Sequence, residues 1–206
     1  INACTAEAKK LGMEAWLYDE DRWPSGTAGG KVTAKKENRM KYITMHIDEE
    51  IPENAEVIYE YACNLNGVNY SEDGTTNKLW FEITEFPKSN FYNGYTYADT
   101  LKKETTEEYI SLTHQKYVEH CGKEIGKTIK GIFTDEPHRG GLMLDSSTAS
   151  PAFVVPYTEK LFDEFYKMWG YSLKEKLPEL FLCKDGERVS PVKWQFVETL
   201  QQMFLD

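Results

Sequence analysis

The sequence predicts an α/β protein, part of a (β/α)8 TIM-type barrel interrupted by an antiparallel β insertion. Three observations predict it. Two short apolar runs, Met13 to Tyr18 and Ile129 to Thr134, close at once on carboxylates, Asp19-Glu20-Asp21 and Asp135-Glu136. Buried parallel strands with polar groups at their carboxyl ends have that pattern. Helical segments alternate with these runs, as βα units require. Lys31 to about Asn90, by contrast, alternates apolar and polar residues with period two and breaks at Asn, Gly, Asp and Pro clusters, which is the rhythm of hairpins.

Each element follows in order. Residues 3 to 11 are helix formers, and Gly12 stands where a helix is closed by a residue tolerant of positive φ. The first strand and its acids come next, then a Pro-Ser-Gly and Gly-Gly loop. Within the insertion, Met40 to Ile47, Ala55 to Tyr61 and Leu79 to Phe86 read as strands. Tyr95 to Asp99 reads as a barrel strand. A helix follows from Thr105 to about Gly122, with Tyr109, Leu112, Thr113, Lys116, Tyr117 and His120 at helical spacing. After the Ile129 strand comes a Gly/Ser-rich loop from Arg139 to Ser150. Pro156 to Trp169 then reads as an amphipathic helix with Pro in its first turn and Gly170 after its end. Leu173 to Leu180 and Val192 to Leu205 also read as helices. The organisation is thus a barrel segment over 1–30, the β insertion over 31–90, and a barrel segment with C-terminal helices over 91–206. A whole barrel takes about 250 residues and eight strands, so three barrel-type strands make only part of one.

Composition narrows the partners. The net charge of −10 and pI near 5.0 give a field that repels nucleic-acid phosphates and anionic lipid. The densest basic stretch, Lys31 to Lys41, also carries Glu37 and reads as a solvated surface. No apolar run approaches the roughly 20 residues of a membrane span. A soluble protein is expected, with the compartment, cytoplasmic or secreted, left open. Cys4, Cys63, Cys121 and Cys183 lack metal-ligand spacing and read as free thiols.

Acids placed after parallel strands point into a cleft. In Trp16-Leu17-Tyr18-Asp19-Glu20-Asp21-Arg22-Trp23, carboxylates sit between aromatics, the pairing that sugar sites use: ring faces cover C–H surfaces while carboxylates take hydroxyls. The competing reading is an acidic strand-end loop with Trp16 and Trp23 in the core. In Phe133-Thr134-Asp135-Glu136-Pro137-His138, Glu136, after an apolar strand and held by the following Pro, suits the acid of a glycosidase, whose pKa hydrophobic walls raise. Asp135 suits a substrate hydroxyl or a supporting role, and either acid could instead cap the next segment. Asp99 has two readings, a sugar ligand or a cap of the following helix. His138 lies beside Glu136, within reach of substrate, whereas His114 and His120 read as packing or surface residues. No EF-hand or HExxH pattern occurs, so neither a metal nor another cofactor is expected.

The segment Leu11 to Gly26 with Ala28-Gly29-Gly30, and Gly131-Ile132-Phe133-Thr134-Asp135-Glu136-Pro137, resemble large bacterial glycoside hydrolases, among them the α-L-rhamnosidases of glycoside hydrolase family 106. Tyr97-Ala98-Asp99-Thr100-Leu101 leading into Thr113-His114-Gln115-Lys116-Tyr117, and Trp169-Gly170-Tyr171-Ser172-Leu173 before Leu177-Pro178, are similar as well. The resemblance implies a TIM-type barrel that hydrolyses O-glycosidic bonds of a glycoside or oligosaccharide, within a much longer polypeptide that would supply further strands and the second carboxylate. An alternative expectation is a carbohydrate-binding module without turnover, holding glycan on Tyr59, Tyr61, Trp80, Phe81 and Tyr92. A third is an inactive fragment whose open strand edges pair in a homodimer.

Overall fold

The computed structural model describes residues 1–140, 154–187 and 190–205. The chain divides into two compact units, one of 1–39 with 87–138 and one of 40–86 with 139–206.

In the first unit, helix α1 (Asn2–Leu11) ends at Gly12, whose φ of 67° lets its N–H turn back to the Ala8 and Lys9 carbonyls. Strands β1 (Ala15–Tyr18) and β6 (Ile129–Phe133) then pair in parallel, with Trp16 opposite Gly131, Leu17 opposite Ile132 and Tyr18 opposite Phe133. Leu17 and Ile129 are buried with Cys121, and Ala15, Ile132 and Tyr117 pack against them. Helix α3 (His114–Cys121) supplies Cys121 and Tyr117 to that side of the pair, while helix α2 (Lys103–Leu112) packs through Tyr109 and Leu112 on Val32 and Ala98. The single helix expected from Thr105 to Gly122 is broken at Thr113 (ψ −78°), whose Oγ1 donates to the Tyr109 carbonyl at 2.7 Å. Such back-bonding to residue i−4 bends helices.

The second unit is built on a six-stranded sheet ordered β7-β2-β5-β3-β4-β8. Its strands are β2 (Lys41–Ile47), β3 (Val57–Asn66), β4 (Asn69–Ser71), β5 (Asn77–Glu85), β7 (Val154–Tyr157) and β8 (Cys183–Lys184). All pairs are antiparallel except β4 with β8. Ile43, Met45, Leu79 and Phe81 share one buried face, and Phe81 meets Phe181 at 5.9 Å. Helices α4 (Leu161–Trp169), α5 (Leu177–Phe181) and α6 (Pro191–Leu205) contribute Leu161, Phe165, Leu177, Phe196 and Leu200 to the core.

The structure overturns the barrel expectation. Among the described residues the strands form two sheets, the parallel one having two strands, and no barrel closes. Tyr95 to Asp99 makes only single bridges, Tyr95 to Ser89 and Ala98 to Arg39. Pro156 lies not in a helix but in β7, at the edge of the six-stranded sheet, where a residue without an N–H is tolerated. The predicted loop from Arg139 to Ser150 lies, from residue 141 on, outside the described residues. Two of the five aromatics expected on a glycan-binding face, Trp80 and Phe81, are buried. Trp80 and Phe81 are 1% and 0% exposed, Trp80 stacks on His46 at 3.8 Å and donates to the Glu49 carbonyl, and Tyr92 belongs to the other unit. They are core.

Among the described residues no helix is long and apolar enough to cross a membrane. All four cysteines are free thiols.

Candidate functional site

Parallel pairing puts the residues that follow β1 and β6 at the same end of the two-stranded sheet. Alternation along the strands then sorts the side chains. Leu17 and Ile132 turn to the helices, whereas Trp16, Tyr18 and Phe133 are 63%, 37% and 56% exposed. Gly131, half-buried, pairs with Trp16, whose indole lies over it: a Cβ there would come within 2.4 Å of the ring. Tyr18 and Phe133 meet at 5.9 Å. Neither Trp16 nor Trp23 is in the core, so that competing reading fails for both.

The first two acids after β1 face inward. The Asp19 carboxylate is fully enclosed, accepting from Ser25 Oγ and Thr134 Oγ1 at 2.7 Å each, with His114 Nε2 3.5 Å away. Tyr109 donates to the Asp19 carbonyl at 2.8 Å. Glu20 is 8% exposed and sits in a ring of donors. Its Oε1 accepts from the backbone N–H groups of Asp21 and Gly29, and its Oε2 from those of Gly26, Thr27 and Ala28 and from the Thr27 hydroxyl, all between 2.8 and 3.2 Å. Both carboxylates have their hydrogen bonds satisfied from within the protein. A buried carboxylate must be satisfied from within, and in this structure both acids brace the loop that follows them.

The outward-facing acids are Asp21, Asp135 and Glu136. Asp21 is exposed, 4.0 Å from Arg22 Nε and 3.4 Å from Asn93 Nδ2. Asp135 is held by its backbone, its N–H donating to Ser25 Oγ at 2.9 Å and its carbonyl accepting the Ser25 N–H at 2.8 Å. Its Oδ2 accepts the Tyr18 phenol at 3.1 Å. Partial desolvation, and next this hydrogen bond, push the Tyr18 phenol above its ordinary pKa, so it remains a donor. Glu136 is exposed, and its Oε2 takes the indole N–H of Trp23 at 3.0 Å. It also holds φ at +45°, a left-handed conformation that non-glycine residues adopt at a cost and that concentrates at functional sites.

Trp23 is 49% exposed and meets Phe91 edge-on at 6.2 Å; Phe91 is 43% exposed. Phe91 contacts Tyr92, Tyr92 contacts buried Tyr97, and Tyr97 stacks on His138 at 4.3 Å. Burial lowers the His138 pKa and keeps the ring neutral. Asp99 is 5% exposed, and its Oδ1 accepts the Leu101 N–H at 3.2 Å. It shapes the turn before α2.

Sequence reasoning missed Ser25, Tyr18 and Phe91. Ser25 was visible only as part of a Pro-Ser-Gly turn, and Phe91 has no strand or acid beside it. A cleft of about 470 Å3 borders the buried acids, with Asp21, Lys31, Lys116 and Tyr117 on its walls, but neither Trp23 nor Glu136 lines it. The open surface around Glu136 is chemically the better site, since it joins an exposed carboxylate to the exposed faces of Trp23 and Phe91. Among the described residues no group of three or more His, Cys, Asp or Glu side chains is placed to hold a metal ion.

No family model, no curated protein and no solved structure matches the chain.

Proposed function

We propose that the chain carries the acid-bearing part of a glycoside-hydrolysing site, with Glu136 protonating the leaving oxygen of an uncharged glycoside. One observation carries the reading: the Trp23 indole N–H meets Glu136 Oε2 at 3.0 Å while the Trp23 and Phe91 rings stay open to solvent. A carboxyl beside exposed aromatic faces is what a sugar ring requires, because its C–H surfaces stack on the rings and its oxygens reach the acid. Asp135, fixed by Ser25 and Tyr18, takes a ring hydroxyl. The resemblance to α-L-rhamnosidases makes α-L-rhamnosides the first substrates to try.

The test compares wild type and Glu136→Gln on a panel of alkyl and nitrophenyl glycosides. Loss of a general acid costs about 10²- to 10⁴-fold where the leaving group needs a proton, and less where the leaving group departs unaided. Equal turnover by the two proteins on alkyl glycosides would refute the assignment.

A second reading is binding without turnover, favoured by the exposure of Glu136, which lacks the apolar enclosure a general acid uses to hold its proton. Oligosaccharide binding that survives Glu136→Gln and disappears in Trp23→Ala, with no hydrolysis by either protein, would establish it.

A further inference from the structure

We propose that Glu20 is the positioning residue of this site, an internal anion in a nest of backbone amides that holds Trp23 against Glu136. The argument starts from where its hydrogen bonds land. One carboxylate joins the N–H of Asp21 to the N–H groups of Gly26, Thr27, Ala28 and Gly29. The segment Asp21 to Gly26 is therefore fastened at both ends to a single side chain. Trp23 lies inside that segment, and its indole N–H is the group that meets Glu136. Successive backbone N–H groups converging on one point form an anion site. Gly26, Ala28 and Gly29, with φ of 143°, 49° and 63°, supply the left-handed backbone that makes them converge. The acid seated there belongs to the chain itself, so the nest serves geometry and not substrate.

Removing the charge should release Trp23. Glutamine in place of Glu20 would turn an amide NH2 toward N–H donors, and Glu20→Ala would leave the nest empty yet shaped for a carboxylate. The indole N–H resonance of Trp23, identified by its loss in Trp23→Phe, reports the contact with Glu136 without any turnover. Glu136→Gln should shift it away from its wild-type position, and Glu20→Gln should shift it in the same direction. Formate or acetate should return it in Glu20→Ala and leave Glu20→Gln unchanged, because the glutamine side chain fills the space.

The catalytic consequence rests on the reading of Glu136 given above: kcat on alkyl glycosides should fall at least tenfold in Glu20→Gln. A folded Glu20→Gln protein whose Trp23 resonance stays at the wild-type position overturns the proposal. So does a folded Glu20→Ala protein that ignores added carboxylate. If Glu20→Ala does not fold with or without formate, the Glu20→Gln spectrum decides. Should wild type cleave no glycoside while the resonance still follows both Glu20 and Glu136, the functional reading falls and the positioning role stands.

Discussion

Ser25→Ala is the sharpest probe of how the outer acids are held. Ser25 is 1% exposed, and its hydroxyl does two things at once: it donates to the enclosed Asp19 carboxylate at 2.7 Å and accepts the Asp135 N–H at 2.9 Å. Alanine deletes both bonds and leaves Cβ in place, so little volume is lost. A hydrogen bond to a charged group contributes about 1.5–3 kcal/mol, and stranding the Asp135 amide costs about 1–3 kcal/mol, for a sum of about 2.5–6 kcal/mol. Asp19 retains Thr134 and His114, which keeps the estimate off the top of that range. Urea unfolding followed by near-ultraviolet circular dichroism measures the loss, and a double-mutant cycle with Asp19→Asn isolates the Ser25–Asp19 coupling. A loss under about 1 kcal/mol, with no coupling to Asp19, would refute the brace, since even one ordinary buried hydrogen bond contributes about that much.

Two further outcomes are expected. The folded-state pKa of His138 lies below its ordinary value of 6.5 because of burial, so the unfolded chain takes up its proton first as pH falls. Its contribution to stability is therefore complete above about pH 6.5 and is lost as pH drops through the folded value. His138→Phe, which keeps a ring on Tyr97, should flatten that part of the stability profile measured by urea titration from pH 8 to 5; an unchanged slope would contradict it. Trp80→Ala should destabilise the six-stranded sheet by about 3–5 kcal/mol, as core Trp truncations do, while leaving any oligosaccharide affinity at wild-type strength by calorimetry. Affinity lost from a protein that stays folded would return the sheet face to the list of binding surfaces.

The parallel pair was legible because an apolar run of strand length that ends on acids has few alternative structures. The Gly12 helix stop was legible for a similar reason, since a glycine at the end of a helix-forming stretch serves local geometry. Tyr95 to Asp99 misled because its alternating aromatics pack inward from a loop, where Asp99 and Tyr97 hydrogen-bond to Leu101 and Ser25 and not to a neighbouring strand. Pro156 misled because proline serves a helix's first turn and an edge strand equally well, and only the pairing of β7 with β2 separates the two. The expected barrel failed on nonlocal grounds: residues after 153 add a strand to the antiparallel sheet, a choice that local pattern does not encode.

The acids after β1 show why a motif's chemistry cannot be assigned from residue types alone. Period-two alternation ends with the strand at Tyr18, so nothing local says which of Asp19, Glu20 and Asp21 turns outward. Donor supply says it. A carboxylate can be buried only where enough N–H and O–H groups converge on it. The stretch Ser25-Gly26-Thr27-Ala28-Gly29 provides them, with two hydroxyls, two glycines and no bulky side chain. The small-residue loop therefore exists for Asp19 and Glu20, and Asp21 is left for solvent. After β6 the supply runs short. Ser25 and Thr134 are already engaged by Asp19, and the next residues are Pro137, which has no N–H, and His138, whose N–H points to Tyr97. Asp135 and Glu136 are consequently the acids the fold exposes, and their nearest partners, the Tyr18 phenol and the Trp23 indole, reach them from rings that a sugar could also touch.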